Sequence, residues 1–200
     1  MSSPENQQLV TIFKDLQRLC NILNAGTIDQ QTLPAMEFQD RICSIQYRLL
    51  GLQGNLESTI SEALRLGMLA LLATTIQVPG AGLRYPYLSR RFQKCCGAIE
   101  TSEPHLRNLM LWFLTVGAIS LFGAAEPWLR ERWRAEVPSQ TTWEEARLRL
   151  KGMMWIDTIH DEPGQSAFER LSVEEAASTN RDNAATKVWA SGWAGSAWDL

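Results

Sequence analysis

The chain has 200 residues, a length that suits one domain or one domain with a tail, and 45% of them are hydrophobic. This hydrophobic content, with 20% charged residues, excludes a chain that is disordered by composition. The net charge of −3 and the pI near 5.5 give no electrostatic footprint for nucleic acid, so we expect no direct DNA binding by this chain.

The N-terminal part predicts two amphipathic helices. The first carries apolar residues at three- and four-residue spacing, which places them on one helical face, and Ala25-Gly26 suggests its end. The second begins near Thr32, with Pro34 in its first turn. The predicted buried residues are Leu9, Ile12, Phe13, Leu16, Cys20 and Leu23 in the first helix, and Met36, Ile42, Ile45, Leu49 and Leu52 in the second.

A capping box and a glycine–proline loop delimit the next helix. Thr59 and Glu62 match the capping-box pattern, and the apolar run that follows should end before the loop at residues 79–82. A Tyr85-Pro86-Tyr87 turn then leads into a shorter helix. That helix holds Phe92, Cys95, Cys96 and Ile99.

The four cysteines, Cys20, Cys43, Cys95 and Cys96, form no CxxC pair and follow no secretory signal. We therefore expect a reducing compartment, cytosol or nucleus. The adjacent pair Cys95–Cys96 could form a strained vicinal disulfide, but two buried thiols on a helix are the favoured interpretation.

Residues 109–125 contain no charge and stand at the lower edge of the length that spans a membrane. We expect Ser102 to cap the helix that contains them, and we favour a central buried helix over a membrane anchor. An amphipathic segment starts at Glu126-Pro127 and breaks at Pro138. Its apolar residues Trp128, Leu129 and Trp133 stand opposite Arg130, Glu131 and Arg134.

Thr142 and Glu145 form another predicted capping box. We expect its helix to bury Leu148, Met154 and Trp155 or their neighbours, and to stop near His160, before Pro163-Gly164. No segment alternates apolar and polar residues as a β-strand would, so we predict no sheet. The predicted fold is all-α, an irregular bundle of about seven or eight helices. Residues 1–175 form the helical domain and residues 176–200 a tail. The tail is either a flexible end or a docking segment with Trp189, Trp193 and Trp198.

The best cluster for chemistry is Asp157, His160 and Asp161, which share one helical face. The three side chains could hold a metal ion, and the His–Asp pair could act as a general base. The structural interpretation is stronger: His160 sits at a predicted helix C-terminus, where an imidazolium meets the negative end of the helix dipole, and Asp161 and Gly164 suit the following turn. We expect no catalytic residues, no metal, no cofactor and no enzyme activity.

Between residues 60 and 170, the order of segments is an apolar helix, a Tyr/Pro turn, a tryptophan-containing apolar helix, an acidic-aromatic segment and the stretch WIDTIHDEPG at residues 155–164. This order resembles the C-terminal part of the fungal-specific transcription factor domain, the helical regulatory region of fungal zinc-cluster transcription factors. The matching positions are Trp112, Glu126, Trp128, Trp143, Glu144, Trp155, Asp157, His160, Asp161, Pro163 and Gly164.

The resemblance implies a nuclear regulatory or dimerisation domain that acts through helix-mediated contacts. Its partners would be another copy, a related transcription factor or coregulators, with a small-molecule effector as a further option near Trp112 and Trp155. The family pairs this region with a six-cysteine zinc cluster, which four scattered cysteines cannot build. A shortened paralogue, a truncated gene model and a stand-alone domain all stay open. The alternative functions are a small-molecule-binding helical domain and a membrane-associated protein anchored by residues 109–125.

Overall fold

The structure is a computed structural model that describes residues 3–29, 33–75 and 85–172, and within these residues every regular element is a helix. The prediction of an all-α fold is confirmed. The elements are α1 Pro4–Asp29, α2 Ala35–Gly51, α3 Thr59–Thr75, α4 Pro86–Gly97, α5 Pro104–Gly117, a π-helical turn Ala118–Phe122, α6 Pro127–Glu136, α7 Trp143–Met153 and α8 at residues 157–172.

Helix α5 and its π-helical extension form the centre of the molecule. They pack against α3, α4, α6 and α7, while α1 and α2 pack on each other and on α3. Every residue from Met110 to Ala118 is buried, which confirms the prediction of a central buried helix. By length and composition alone, the stretch Pro104–Phe122 could also cross a membrane, and half of its apolar window is buried inside the molecule. A core helix passes the same test.

A glycine lets α3 approach α5 closely. A Cβ added at Gly67 would stand 2.7 Å from the Trp112 ring and 3.1 Å from the Phe113 ring. Both rings are fully buried and lie at an interplanar angle of 53°. The absence of a side chain at Gly67 therefore allows two large aromatic groups to fill the space between the helices.

Proline and threonine signals locate several helix starts correctly. Helix α6 begins at Pro127 with Glu126 as its N-cap residue and ends before Pro138. Helix α7 has the predicted capping box, in which Thr142 Oγ1 accepts from the Glu145 amide and the Glu145 carboxylate accepts from the Thr142 amide. Each of these signals is local in sequence, because the groups that bond lie within one helical turn.

Other predicted helix boundaries are wrong. Helix α1 continues through Ala25-Gly26 to Asp29. Helix α3 is capped by Ser58, whose hydroxyl accepts from the Ser61 amide at 3.0 Å, so the predicted Thr59–Glu62 box does not form. Glu62 is instead drawn into an ion pair with Arg65. Helix α5 has Glu103 as its N-cap residue, without a side-chain cap, so the expected Ser102 cap is also wrong.

Two predicted core residues are exposed, for a geometric reason. Met36 is 77% exposed because it lies roughly 180° around the helix from the buried Ile45. The buried stripe of α2 runs at four- and three-residue spacing from Phe38, through Ile42 and Ile45, to Leu49. Leu148 is 74% exposed because it lies two positions from the buried Ala146 and Leu150, roughly 200° around α7 from each.

The predictions about cysteines and chain ends have mixed outcomes. Cys20 and Cys96 are buried, Cys95 is partly buried, and the thiols, including the adjacent pair, are free. Burial raises the pKa of Cys20 to about 12, so that this thiol stays protonated and unreactive.

The loop at residues 79–82, the domain end at 175 and the tail tryptophans Trp189, Trp193 and Trp198 lie outside the described residues.

Candidate functional site

The sequence-predicted cluster lies at the α7–α8 junction, residues 152–157. Here the chain leaves α7 at Met153, passes through an extended Met154 and starts α8 at Asp157. The prediction that one helix runs to His160 and stops before Pro163-Gly164 is therefore wrong. His160 lies in the first turn of α8, and Pro163 is exposed within it.

Side chains from distant helices bond the free carbonyl groups of the junction. Gln17 on α1 donates to the carbonyls of Gly152 and Met153, at 3.1 Å each. The Trp112 indole donates to the Met154 carbonyl at 2.8 Å. These donors satisfy carbonyl groups that a continuous helix would have bonded internally, and so they stabilise the break.

Asn24 closes the junction with a pair of hydrogen bonds. Its amide nitrogen donates to the Trp155 carbonyl, and its oxygen accepts from the Asp157 amide, both at 2.9 Å. Since one side chain bonds the backbone on both sides of Ile156, α1 fixes the direction in which α8 leaves the junction. Nothing local in the sequence marks Gln17 or Asn24, because both lie far from the junction along the chain.

His160 is fully buried and acts as a neutral hydrogen-bonding group. Its Nδ1 accepts from the Ile156 amide at 2.9 Å, which places the ring proton on Nε2. Nε2 lies 2.8 Å from Thr74 Oγ1, and that hydroxyl donates to the Leu71 carbonyl. Burial lowers the pKa of His160 to about 4, against the opposing influence of Asp161 and Asp157. The expected imidazolium at a helix C-terminus is therefore wrong.

The two aspartates bind cationic side chains of α7. Arg147 forms a bidentate contact with Asp161, at 3.0 and 2.7 Å, and Trp155 Nε1 donates to the same carboxylate. Asp157 accepts from Lys151 at 2.6 Å and pairs with Arg147 at 3.0 Å. Burial opposes ionisation of Asp161, but the hydrogen bonds from Arg147 and Trp155 outweigh it and lower its pKa.

Aromatic packing completes the cluster. The Trp155 ring contacts both Trp143 and His160, with centroid distances of 6.4 and 4.9 Å. A Cβ added at Gly164 would stand 2.6 Å from the Trp155 ring and 3.1 Å from Trp143, so only glycine fits there without movement. The turn predicted for Gly164 does not exist; the residue is a point of close packing instead.

The structure brings together six of the signature residues: Trp143, Trp155, Asp157, His160, Asp161 and Gly164. Trp112 joins them through its bond to Met154. The others take different places: Glu126 is the N-cap residue of α6, Trp128 packs edge-on against Phe122, and Glu144 is exposed in the first turn of α7. Since the His160 ring is buried and both its nitrogens are bonded, the arrangement serves packing and orientation.

Neither the general-base interpretation nor the metal interpretation finds support in this geometry. The imidazole of His160 has no exposed surface at which a substrate could arrive. Among residues 3–29, 33–75 and 85–172, no group of three or more His, Cys, Asp or Glu side chains is arranged to hold a metal ion.

An accessible apolar groove lies elsewhere, between α2, α3 and α4. It has a volume of about 540 Å³, and its lining is mostly apolar, with Leu50 from α2, Leu66 and Leu69 from α3, and Tyr85 and Leu88 at the start of α4. We call this feature the apolar groove. Trp112 and Trp155, around which the resemblance implied a pocket, are packed in the core and do not line it.

Three large apolar side chains stand exposed at or beside the apolar groove. Leu50 is 53% exposed, Tyr87 is 60% exposed, and Tyr47, one helical turn before Leu50 on α2, is 82% exposed. For Tyr85-Pro86-Tyr87 the sequence predicts only a turn. The signal for this surface was the presence of Tyr47 and Leu50 outside the buried stripe of α2.

A buried ion pair holds the three helices of the apolar groove together. Arg65 binds the Glu62 carboxylate with two bonds of 2.7 and 2.9 Å and donates to the Leu49 carbonyl of α2. Arg91 of α4 reaches the same carboxylate at 3.1 Å. Burial disfavours the ionised form of Glu62, yet the bonds from Arg65 and Arg91 lower its pKa.

Comparisons with known proteins add no relative: no protein-family model, no curated protein and no solved structure matches the chain.

Proposed function

We propose that the chain is a regulatory and dimerisation domain of a fungal transcription regulator, and that residues 1–200 do not themselves build a DNA-binding zinc cluster. It acts in the nucleus through helix-mediated contacts with a second copy, a related transcription factor or a coregulator. The sequence resemblance at residues 155–164 supports the transcriptional part of the proposal. The apolar groove supports the part that concerns protein contacts.

The observation that carries the proposal is the exposure of large apolar side chains around the apolar groove. Leu50 and Tyr87 leave more than half of their surface in water, which costs free energy that a partner helix would recover. A groove bounded by helices accepts the apolar face of an amphipathic helix. In a symmetric dimer, α2 of each copy would supply Tyr47 and Leu50 to the other.

The α7–α8 junction has a structural role in this proposal. Its hydrogen bonds join the start of α8 to α1 and the Met154 carbonyl to α5, so they preserve the shape of the domain without contacting the partner. Substitutions of the side chains that bond the junction, Gln17, Asn24 and Trp112, should therefore reduce folding. Substitutions at the mouth of the apolar groove should instead reduce partner binding in a folded domain.

A reporter assay tests the transcriptional part. The chain is fused to a heterologous DNA-binding module in a fungal reporter strain, and expression is compared with that from the module alone. We expect the wild-type fusion to change reporter expression, and Leu50→Glu with Tyr87→Glu to cancel the change. Leu148→Glu is the control, since Leu148 is also an exposed leucine but lies on α7. A wild-type fusion without effect would contradict the proposal.

A second candidate function, binding of an apolar small molecule, is favoured by the size of the same groove. About 540 Å³ falls within the usual range of ligand sites, and Gln46, Gln53 and Arg65 provide a few polar groups. This function predicts that apolar metabolites raise the unfolding temperature of the wild-type chain and not that of the Leu50→Glu, Tyr87→Glu variant. Equal shifts in both proteins would exclude the groove as the binding site.

A further inference from the structure

A second surface feature, separate from the apolar groove, lies between α4 and α6. Each helix contributes residues at four- and three-residue spacing, which places each set on one face. The cavity between the two faces has a volume of about 700 Å³. Its lining includes Arg90, Lys94 and Gly97 of α4, and Trp128, Arg132 and Ala135 of α6. We call this feature the basic cleft.

The basic cleft continues into a neighbouring cavity of about 890 Å³, with which it shares Gly97, Arg132 and Ala135. The continuation adds the cationic residues Arg107 and Arg134. Three carboxylates also line the two cavities: Glu100, Glu131 and Glu136. Five cationic and three anionic side chains give a local charge of +2 on a protein whose net charge is −3.

Glu136 contributes little negative charge to the basic cleft. Its side chain is 7% exposed, pairs with Arg132 at 3.0 Å and accepts from the Thr101 hydroxyl at 2.7 Å. Arg132 also donates to the Ile99 carbonyl, which fixes its guanidinium between the two cavities. Because Arg132 and Glu136 neutralise each other, the exposed Arg90, Lys94 and Glu131 leave a charge of +1 in the outer part of the cleft.

Two buried donors in the wall of the basic cleft have no hydrogen-bond partner within the described residues. They are Trp128 Nε1 and Arg132 Nε. A buried donor without an acceptor costs free energy.

We propose that the basic cleft binds an acidic peptide segment of another protein in an extended conformation. The cationic groups are distributed along the cleft and do not converge on one point, which suits a ligand with regularly spaced negative charges. Arg90 and Lys94 are separated by roughly 6 Å along α4. Carboxylates at alternate positions of an extended peptide recur every roughly 6.6 Å, which matches this separation.

Fluorescence anisotropy with a short fluorescein-labelled peptide of alternating glutamate and serine tests the proposal on the whole chain. We expect saturable binding that weakens as salt is added, because the contacts are charged and partly exposed. The double variant Arg90→Glu, Lys94→Glu should weaken binding about tenfold. The matched control is Lys14→Glu, Arg18→Glu on α1, which has the same spacing, exposure and charge change, and should weaken binding by less than about twofold.

Three results would overturn the proposal. The first is a wild-type chain that shows no saturable binding. The second is an equal loss of affinity in both double variants, which would indicate non-specific electrostatic attraction. In the third case, inorganic phosphate or a DNA oligonucleotide would displace the peptide at peptide-like concentrations, which indicates a site for compact anions or nucleic acid. Circular dichroism melting of each variant separates loss of binding from loss of fold, and the variants at the apolar groove should bind the peptide as the wild type does.

Discussion

At the scale of single residues, the WIDTIHDEPG stretch is a set of packing and hydrogen-bonding groups. His160 illustrates the difference between a sequence pattern and its chemistry. Its spacing from Asp157 and Asp161 suggested a shared helical face, and its predicted place at a helix C-terminus suggested a charged imidazole. The structure places the carboxylates on Arg147 and Lys151 of α7, and it places the imidazole among Trp155, Thr74 and the Ile156 amide. A buried, neutral histidine makes stability depend on pH.

His160 should destabilise the fold as the pH falls. The unfolded chain binds a proton near the ordinary histidine pKa of 6.5, whereas the buried ring resists protonation until about pH 4. The contribution is therefore complete above pH 6.5 and lost progressively between pH 6.5 and 4, in total roughly 3 kcal/mol. Urea unfolding at a series of pH values measures it, and His160→Asn should flatten the dependence in this window.

The second histidine provides the control for this experiment. His105 is 73% exposed, so His105→Asn should keep the wild-type pH dependence between pH 6.5 and 4. If His160→Asn retained the full wild-type slope in that window, the imidazole would not be buried in neutral form.

Gly164 should be intolerant of even one added methyl group. Its missing Cβ would stand 2.6 Å from the Trp155 ring, and Trp155 is held in place by its bond to Asp161. We expect Gly164→Ala to lower the free energy of unfolding by about 1–3 kcal/mol. Gly152→Ala is the control, because open space surrounds that position, and it should be neutral or stabilise by up to about 1 kcal/mol. Equal effects of both substitutions would contradict the packing at Gly164.

At the scale of elements, the sequence predicted the helix starts and buried faces that depend on residues close together along the chain. The starts of α6 and α7, the buried α5 and most of the stripe of α2 follow from capping residues and periodicity. The break between α7 and α8 could not be predicted, because Gln17, Asn24 and Trp112 satisfy its carbonyls from more than forty residues away. Without those donors, a continuous helix, which bonds its own carbonyl groups, would be the more stable conformation of this segment.

The ion pair at the apolar groove gives a prediction about helix association. Arg65 and Glu62 keep side-chain exposures of 3% and 10%, so removal of the cation leaves a buried carboxylate with only Arg91 near it. We expect Arg65→Ala to destabilise by about 3–5 kcal/mol. Arg41→Ala, which removes the exposed pair with Glu37, should change the free energy of unfolding by less than about 0.5 kcal/mol. A small effect at Arg65 would show that α2, α3 and α4 associate without this pair.

At the scale of the whole molecule, the candidate site of the sequence and the accessible surface of the structure are different places. The sequence drew attention to residues 155–164, but periodicity cannot tell whether a polar residue on a helix faces solvent or another helix. The apolar groove depends on how α2, α3 and α4 meet, which is a property of the tertiary structure. Tyr47 and Leu50, which are apolar and lie outside the stripe of α2, were a signal for it in the sequence.

The claim that a second copy of the chain is a partner, bound at the apolar groove, is tested directly by sedimentation velocity over a range of protein concentrations. We expect the wild-type chain and the Leu148→Glu control to shift from monomer to dimer as the concentration rises. Leu50→Glu with Tyr87→Glu should stay monomeric with an unchanged circular dichroism spectrum. A wild-type chain that stays monomeric at every concentration, or a dimer that survives the double substitution, would contradict the claim.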